Sequence, residues 1–124
     1  MKLQRVRAGR AETGRTAHLP AVSVCFTNGT LSFNQAARVA LDIDLGDCVA
    51  FYRDADSPDR DWYIAKRRIA GSLKLTRECG NSLCGVGTAL TRELLASIGA
   101  RHKKRFVIAT QPEKGGYRKI VGAL

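Results

Sequence analysis

The chain has 124 residues, 44% of them hydrophobic and 26% charged, which is typical of a folded protein and excludes wholesale disorder. Its length suits one domain, or two very small units that share a core. Twenty-one Lys and Arg against eleven Asp and Glu give a formal net charge of +10, which favours polyanionic partners.

The charge is distributed unevenly along the chain. Residues 1–19 contain five Lys or Arg and one acid. Residues 20–66 contain four Lys or Arg and seven acids, and residues 67–124 contain twelve Lys or Arg and three acids. We predict a flexible basic arm at 1–19, a first folded unit at 20–66 and a second at 67–124.

The first unit is predicted to begin with a hairpin. Strands at 22–26 and 30–33 flank Asn28-Gly29, a dipeptide that favours tight hairpin turns. Asn34 is expected to cap a short helix that ends at Leu41. Further strands follow at 48–52 and 62–65, with a polar loop between them.

The second unit repeats this order of elements. Strands are predicted at 73–76 and 82–84 around a turn at 80–81, and Thr88 is expected to cap a helix. The predicted apolar face of that helix consists of Leu90, Leu94, Leu95 and Ile98. Gly99 is expected to stop the helix, and strands follow at 106–109 and 117–121 around a turn at 114–116. The predicted fold class is therefore α+β, mainly β, with a tandem pseudo-duplicated unit of β-hairpin, helix and β-hairpin.

One stretch of the first unit is similar to a known family. From Gly29 to Arg53 the run is GTLSFNQAARVALDIDLGDCVAFYR, with a turn glycine, apolar residues before a helix, an arginine within it, and a Gly-Asp turn before an apolar strand. The residues that carry the likeness are Gly29, Leu31, Phe33, Arg38, Leu41, Ile43, Gly46, Asp47 and Phe51. This pattern resembles the AbrB-type (SpoVT/AbrB) swapped-hairpin transcription factors, which include MazE-like antitoxins, and the second half is similar only loosely.

The resemblance implies a fold and a function. Family members pair two short units that exchange strands, and the dimer presents a basic face to DNA. Two such units in one chain would form a single AbrB-like pseudo-dimer, and a unit of ~45 residues is close to the lower limit for an independent core. The oligomeric state stays open between a monomeric pseudo-dimer and a homodimer.

Signals for catalysis or a cofactor are weak. The chain has two histidines, His18 and His102, and lacks a Gly-rich phosphate loop of known type. Cys84 precedes Gly85 and is a candidate nucleophile, but a buried thiol is the favoured interpretation. Cys79 and Cys84 are spaced more widely than the usual pair of zinc ligands. We expect no enzyme, no cofactor and no metal.

The location is predicted from the absence of export and membrane signals. No signal peptide is recognised before the four cysteines, and the longest apolar runs are far below the ~20 residues that span a bilayer. These observations predict a cytoplasmic protein with reduced thiols and without a membrane partner.

The basic residues carry the functional prediction, because they form dense runs with few acids nearby. DNA is the expected partner and RNA an alternative; an AbrB-like DNA-binding regulator or a nucleoid-type protein is the expected function. The predicted nucleic-acid-binding residues are Arg38, Arg67, Arg68, Lys74, Arg77, Arg92, Arg101, Lys103, Lys104 and Arg105.

Two alternatives remain open. The acidic loop at 54–61 would instead bind a basic protein partner, as in an antitoxin-like or inhibitor module. In the second alternative, nucleic-acid bases would stack on the aromatic side chains of Tyr52, Trp62, Tyr63 and Tyr117. Because Trp62 and Ile64 share one face of a strand, a core role for that face is the favoured interpretation.

Overall fold

The protein is described from a computed structural model, and the described residues are 19–56 and 61–123. The predicted basic arm at 1–19 lies outside this range apart from Leu19. Part of the predicted acidic loop, residues 57–60, also lies outside it.

The described residues form nine strands and two helices. The strands are β1 (Ala21–Cys25), β2 (Thr30–Phe33), β3 (Cys48–Arg53), β4 (Trp62–Lys66), β5 (Leu73–Lys74), β6 (Arg77–Cys79), β7 (Ser82–Val86), β8 (Lys103–Ile108) and β9 (Arg118–Ala123). The helices are α1 (Gln35–Leu41) and α2 (Thr88–Ser97). Neither helix is long and apolar enough to cross a membrane.

All nine strands belong to one curled antiparallel sheet, in the order β5-β3-β4-β9-β8-β1-β2-β7-β6. Strands β5 and β6 stand at the two ends of this order, although only two residues separate them in the chain. The sheet therefore curls until its ends meet, and the amide of Thr76 donates a hydrogen bond to the Cys84 carbonyl oxygen at 2.9 Å there. The mainly β, α+β class predicted from the sequence is confirmed.

The core lies inside the curl and draws on both halves of the chain. Phe33, Ile64 and Phe106 are fully or almost fully buried, and Leu94 and Leu95 bring α2 into the same cluster. Val22 and Phe106 are register partners on β1 and β8, so strands from distant parts of the chain bury each other's apolar residues. Burial of this kind is the main favourable contribution to folding.

Helix α1 begins as predicted. The Asn34 Oδ1 accepts a hydrogen bond from the Ala37 amide at 2.8 Å, which satisfies an amide that the first helical turn leaves without a backbone partner. The same oxygen accepts from the Ala21 amide at 3.1 Å, and the Asn34 Nδ2 donates to the Leu19 carbonyl at 2.8 Å. One side chain therefore joins the start of β1 to the start of α1.

Helix α2 departs from the prediction at its start and confirms it at its end. Thr88 is the first helical residue, and Gly87 occupies the capping position without a side-chain hydrogen bond. Ile98, expected on the buried face, is 43% exposed because it lies just past the last helical residue. Gly99 takes a φ of +71°, a conformation that favours glycine, and follows the helix end as predicted.

Strand β8 begins earlier than the sequence indicates. Lys103, Lys104 and Arg105 were expected to lie between helix and strand, but they pair with β1. Pairing with a complete strand satisfies their backbone groups, and this tertiary contact outweighs the low strand preference of lysine.

Candidate nucleic-acid interface

A continuous row of residues crosses the outer side of five neighbouring strands. Arg105 on β8, Ser23 on β1, Ser32 on β2, Cys84 on β7 and Arg77 on β6 are successive register partners. Register partners in an antiparallel sheet lie on the same face. The Cys84 Sγ donates to the Ser32 Oγ at 3.5 Å, which places two of these side chains side by side. We call this surface of β8, β1, β2, β7 and β6 the five-strand face.

The five-strand face has an uncharged centre between two cationic ends. Four strand-to-strand steps of ~4.8 Å separate Arg105 from Arg77, so these two arginines lie about 19 Å apart along the sheet surface. A second row runs beside the first and contains Lys103, Cys25, Thr30 and Val86. Val86 is 65% exposed, whereas Cys84 in the first row is buried, so this part of the second row is the more open to solvent.

Each end of the face contains a groove. The groove at the β8 end has a volume of about 390 Å³ and is lined by Ser23, Val24, Cys25, Lys103, Lys104 and Arg105. The groove at the β6 end has a volume of about 290 Å³ and is lined by Asn28, Thr30, Thr76, Arg77, Cys84, Gly85 and Val86. Three cations therefore line the β8 groove and one lines the β6 groove. Lys103 and Arg105 belong to the outer rows, whereas Lys104 pairs with the buried Val24 and alternates to the other side of β8.

Five of the predicted binding residues gather near β8. The Phe26 amide donates to the His102 carbonyl oxygen at 2.6 Å, which ties the tip of the first hairpin to the residues before β8. The Arg92 guanidinium lies 5.9 Å from the centre of the Phe26 ring, so α2 brings its arginine to the same place. We call this group the β8 flank, and its members are Arg92, Arg101, Lys103, Lys104 and Arg105.

Arg38 lies between two carboxylates. Its Nη2 is 2.6 Å from the Asp44 Oδ1, and its Nη1 is 2.6 Å from the Glu78 Oε2. The hydrogen bond that Arg38 donates to Glu78 is the main cause of a raised Arg38 pKa. The pKa of Asp44 is lowered chiefly by the hydrogen bond from the Leu45 amide and, to a smaller extent, by the contact with Arg38. Two acids thus offset the Arg38 charge, and its contribution to a phosphate-binding surface is smaller than the sequence suggests.

The other predicted residues occupy different parts of the molecule. The Arg67 Nη2 donates to the Gly115 carbonyl at 2.7 Å, and its guanidinium lies 5.0 Å from the centre of the Tyr117 ring, on the β4–β9 side of the curl. Arg68 is exposed in the segment that follows β4. Lys74 is exposed on β5, at the same end of the molecule as Arg77. The ten residues therefore do not converge on one spot.

A groove lined by three tyrosines lies on the opposite side of the curl. All three were candidates for base stacking in the sequence, but their meeting in one groove was not predicted. Tyr52 is the register partner of Tyr63 and meets the Tyr117 ring edge to face, with ring centres 5.1 Å apart. The groove has a volume of about 310 Å³, and Arg53, Lys114, Asp54 and Glu113 also line it. The alternation around Trp62 did indicate that Tyr63 faces outward, but the pairing that brings the three rings together is non-local.

The acidic loop of the alternative prediction is only partly described. Asp54 and Asp56 form a local turn, in which the Asp56 amide donates to the Asp54 Oδ1 at 3.0 Å. The Asp61 carboxylate lies 3.3 Å from the Lys119 Nζ, and this contact is the main cause of a raised Lys119 pKa. Asp59 lies outside the described residues.

The cysteines differ in exposure and are all free thiols. Cys79 is exposed, Cys25 and Cys48 are half-buried, and Cys84 is buried within the row described above. Among residues 19–56 and 61–123, no three His, Cys, Asp or Glu side chains are grouped so that they could hold a metal ion.

Comparison with known proteins gave no relative: no family model, no curated protein and no solved structure matches the chain. The function is therefore inferred from the geometry of the chain itself.

Proposed function

We propose that the protein is a non-enzymatic DNA-binding regulator or nucleoid-type protein that contacts duplex phosphates through the five-strand face. The observation that carries this proposal is the row from Arg105 through Ser23, Ser32 and Cys84 to Arg77. Small uncharged side chains in its centre allow the sheet to approach a groove closely, and long cationic side chains at its ends reach the phosphates on either side.

The dimensions support this arrangement. The major groove of B-DNA is about 12 Å wide and admits a two-stranded β-ribbon. The central strands β2 and β7 are such a ribbon, with Ser32 and Cys84 as register partners. Arg105 on β8 and Arg77 on β6, about 19 Å apart along the curled sheet surface, then face the two backbones that border the groove. Phosphate contacts of this kind orient a protein on DNA without reading its sequence.

The strand pairings support an AbrB-like pseudo-dimer as the framework of this face. If β5 and β6 together are the counterpart of β1, the two halves can be exchanged without changing the set of pairings. Under this exchange β1–β2 becomes β6–β7, β3–β4 becomes β8–β9, and β1–β8 becomes β5–β3. The pairs β2–β7 and β4–β9 each map onto themselves.

The core supports the same framework, because neither half buries its apolar residues alone. Val22 and Val24 of the first half lie on a strand that pairs with β8, and Leu73 of the second half lies on a strand that pairs with β3. Each half is small enough that an independent core would be marginal. Exchange of strands between the halves removes that difficulty.

The proposal is tested by duplex binding in rising salt, followed by the fluorescence anisotropy of labelled DNA. We expect binding at about 50 mM salt, with log K falling linearly as log salt rises, at a slope of about −0.9 per neutralised phosphate. Absence of binding to duplex DNA at about 50 mM salt contradicts the proposal. Tighter binding to single-stranded RNA than to duplex DNA in competition would favour the RNA alternative instead.

A charge-matched pair of variants locates the binding surface. R101Q/K103Q removes two cations from the β8 flank, and K114Q/K119Q removes two from the β4–β9 side. We expect the first variant to weaken binding about tenfold or more at 100 mM salt, since each lost phosphate contact also lowers the salt slope by about 0.9. The second variant should change affinity less than about threefold, which is what a loss of net charge alone produces.

A further inference from the structure

We infer that the protein binds one backbone of its DNA more strongly than the other and therefore recognises sites without two-fold symmetry. This inference rests on the proposed function and concerns how the five-strand face meets the two DNA backbones. It follows from a difference in charge between the two ends of that face.

The β8 end is strongly cationic. Residues 101–105 contain four Lys or Arg and no acid. Arg101, Lys103 and Lys104 are exposed, and Arg92 is brought alongside by the contact of its guanidinium with Phe26. Any DNA backbone that lies against this end meets a dense group of cations.

The β6 end is close to neutral. The Gly46 amide donates to the Leu75 carbonyl at 2.8 Å, and the Leu75 amide donates to the Asp47 carbonyl at 2.9 Å. These bonds hold the loop that precedes β3 beside the segment that contains β5 and β6. That loop and strand segment, residues 42–48 and 73–79, together contain four acids and two cations.

Ion pairs at the β6 end neutralise part of this acid without producing a cationic surface. Arg38 is engaged by Asp44 and Glu78, and the Lys66 Nζ lies 3.5 Å from the Asp47 Oδ2. Lys74 and Arg77 remain as the exposed cations of this end. One DNA backbone is therefore bound more strongly than the other.

This difference has a consequence for the DNA site. Symmetric dimers bind pseudo-palindromic sites because equivalent residues meet equivalent half-sites. Here the two halves differ at corresponding places. In one half the run Lys103-Lys104-Arg105 pairs with β1, whereas in the other the loop that contains Asp47 is hydrogen-bonded to Leu75, just after β5. Because the two ends of the five-strand face differ, a repeated half-site in the DNA would not increase the binding affinity.

The test compares two double variants that each remove two positive charges from exposed side chains. R101Q/K103Q changes the β8 end, and K74Q/R77Q changes the β6 end. Duplex affinity is measured by anisotropy between about 50 and 200 mM salt. Folding of both variants is checked by the emission of Trp62, the single tryptophan of the chain, which is almost fully buried.

We expect R101Q/K103Q to reduce the salt slope by nearly 2 and the affinity at least tenfold. K74Q/R77Q also removes the phosphate contact of Arg77, but at the weaker end, so it should reduce the slope by about 1 and the affinity by only about three- to fivefold. Equal losses of affinity and salt slope in the two variants would show that both backbones are bound equally, which overturns this inference while leaving DNA binding intact. If the unaltered protein fails to bind duplex DNA, the proposed function itself falls, and this inference falls with it.

A second readout is independent of the variants. Duplexes selected from a random pool by the unaltered protein, analysed by phosphate-ethylation interference, should show interference concentrated on one backbone of the contacted groove. The sequence motif that they share should lack a two-fold repeat. A palindromic consensus with interference shared equally by the two backbones would contradict the inference.

Discussion

Gly85 on β7 lies directly against the backbone of Lys74 on β5. A Cβ at position 85 would come within 2.6 Å of the Lys74 carbonyl oxygen and within 2.9 Å of the Leu73 Cγ. This contact is where the two ends of the curled sheet meet, and only a residue without a side chain allows the backbones to approach so closely. The closure of the sheet, and with it the position of Arg77 at the edge of the five-strand face, depends on this contact.

We therefore predict that Gly85→Ala destabilises the protein. The added methyl group meets backbone rather than a flexible side chain, so the strands must separate, and the free energy of unfolding should fall by about 1–3 kcal/mol. Urea denaturation followed by Trp62 emission measures this change, because the indole is buried and its Nε1 donates to the Ser97 Oγ at 3.2 Å.

The matched control is Gly122→Ala. Gly122 is also a strand glycine, on β9, but a Cβ there would have no neighbour within 4 Å. Its unfolding free energy should stay within about 0.5 kcal/mol of the unaltered protein. Similar losses in the two variants would show that β5 and β7 do not lie in contact.

A second prediction concerns Asn34. Asn34→Ala removes the cap of α1 together with the hydrogen bonds to the Ala21 amide and the Leu19 carbonyl. Loss of a helix cap alone costs about 1 kcal/mol, and the further bonds should raise the total to about 2 kcal/mol. Chemical denaturation measures the loss.

Gln35→Ala is the control for Asn34. Gln35 is the first residue of α1 and is exposed, so its truncation should have little effect on stability. If Asn34→Ala proves as mild as Gln35→Ala, the side chain does not connect β1 to α1.

A third prediction concerns pH. The Leu45 amide and Arg38 lower the pKa of Asp44 in the folded protein, so the ionised carboxylate stabilises the fold at neutral pH. That contribution is present above the ordinary aspartate pKa of about 4 and is lost as the pH falls through the lower folded-state pKa. Asp44→Asn should therefore be less stable than the unaltered protein at pH 7, and the difference should shrink as the pH approaches 3.

The measurement is a pair of denaturation midpoints for each protein, one at pH 7 and one near pH 3. Asp56→Asn is the control, because the Asp56 side chain lies on the exposed loop away from Arg38. If Asp44→Asn is less stable than the unaltered protein by the same amount at both pH values, ionised Asp44 does not stabilise the fold through its contacts with Arg38.

Much of the local structure was predictable from the sequence. The hairpin around Asn28-Gly29, the cap at Asn34 and the helix stop at Gly99 all depend on the preferences of a few neighbouring residues. The start of α2 was predicted one residue too late. Thr88 was predicted to be the capping residue, but it is the first helical residue and Gly87 occupies the cap position.

The candidate site was predictable only in part. Density of charge marked the run from Arg101 to Arg105, but it could not show that three of these residues join a strand beside β1. Composition also could not separate Arg38, whose charge two carboxylates offset, from Lys103, which is exposed. Whether a cation is available to a ligand depends on its spatial neighbours, which lie far away in the chain.

The sequence by itself determined both helices, most of the strands and the concentration of positive charge in the second half, because these properties reside in short runs of residues. It did not determine the early start of β8 or the replacement of the predicted 73–76 strand by two short strands, β5 and β6. Only the tertiary structure decided the order of the strands, the row that joins Arg105 to Arg77 and the closure at Gly85. Those features arise from pairing between residues up to 86 positions apart in the chain, such as Ala21 and Val107. Such pairing is selected by the burial of a shared core rather than by any local preference.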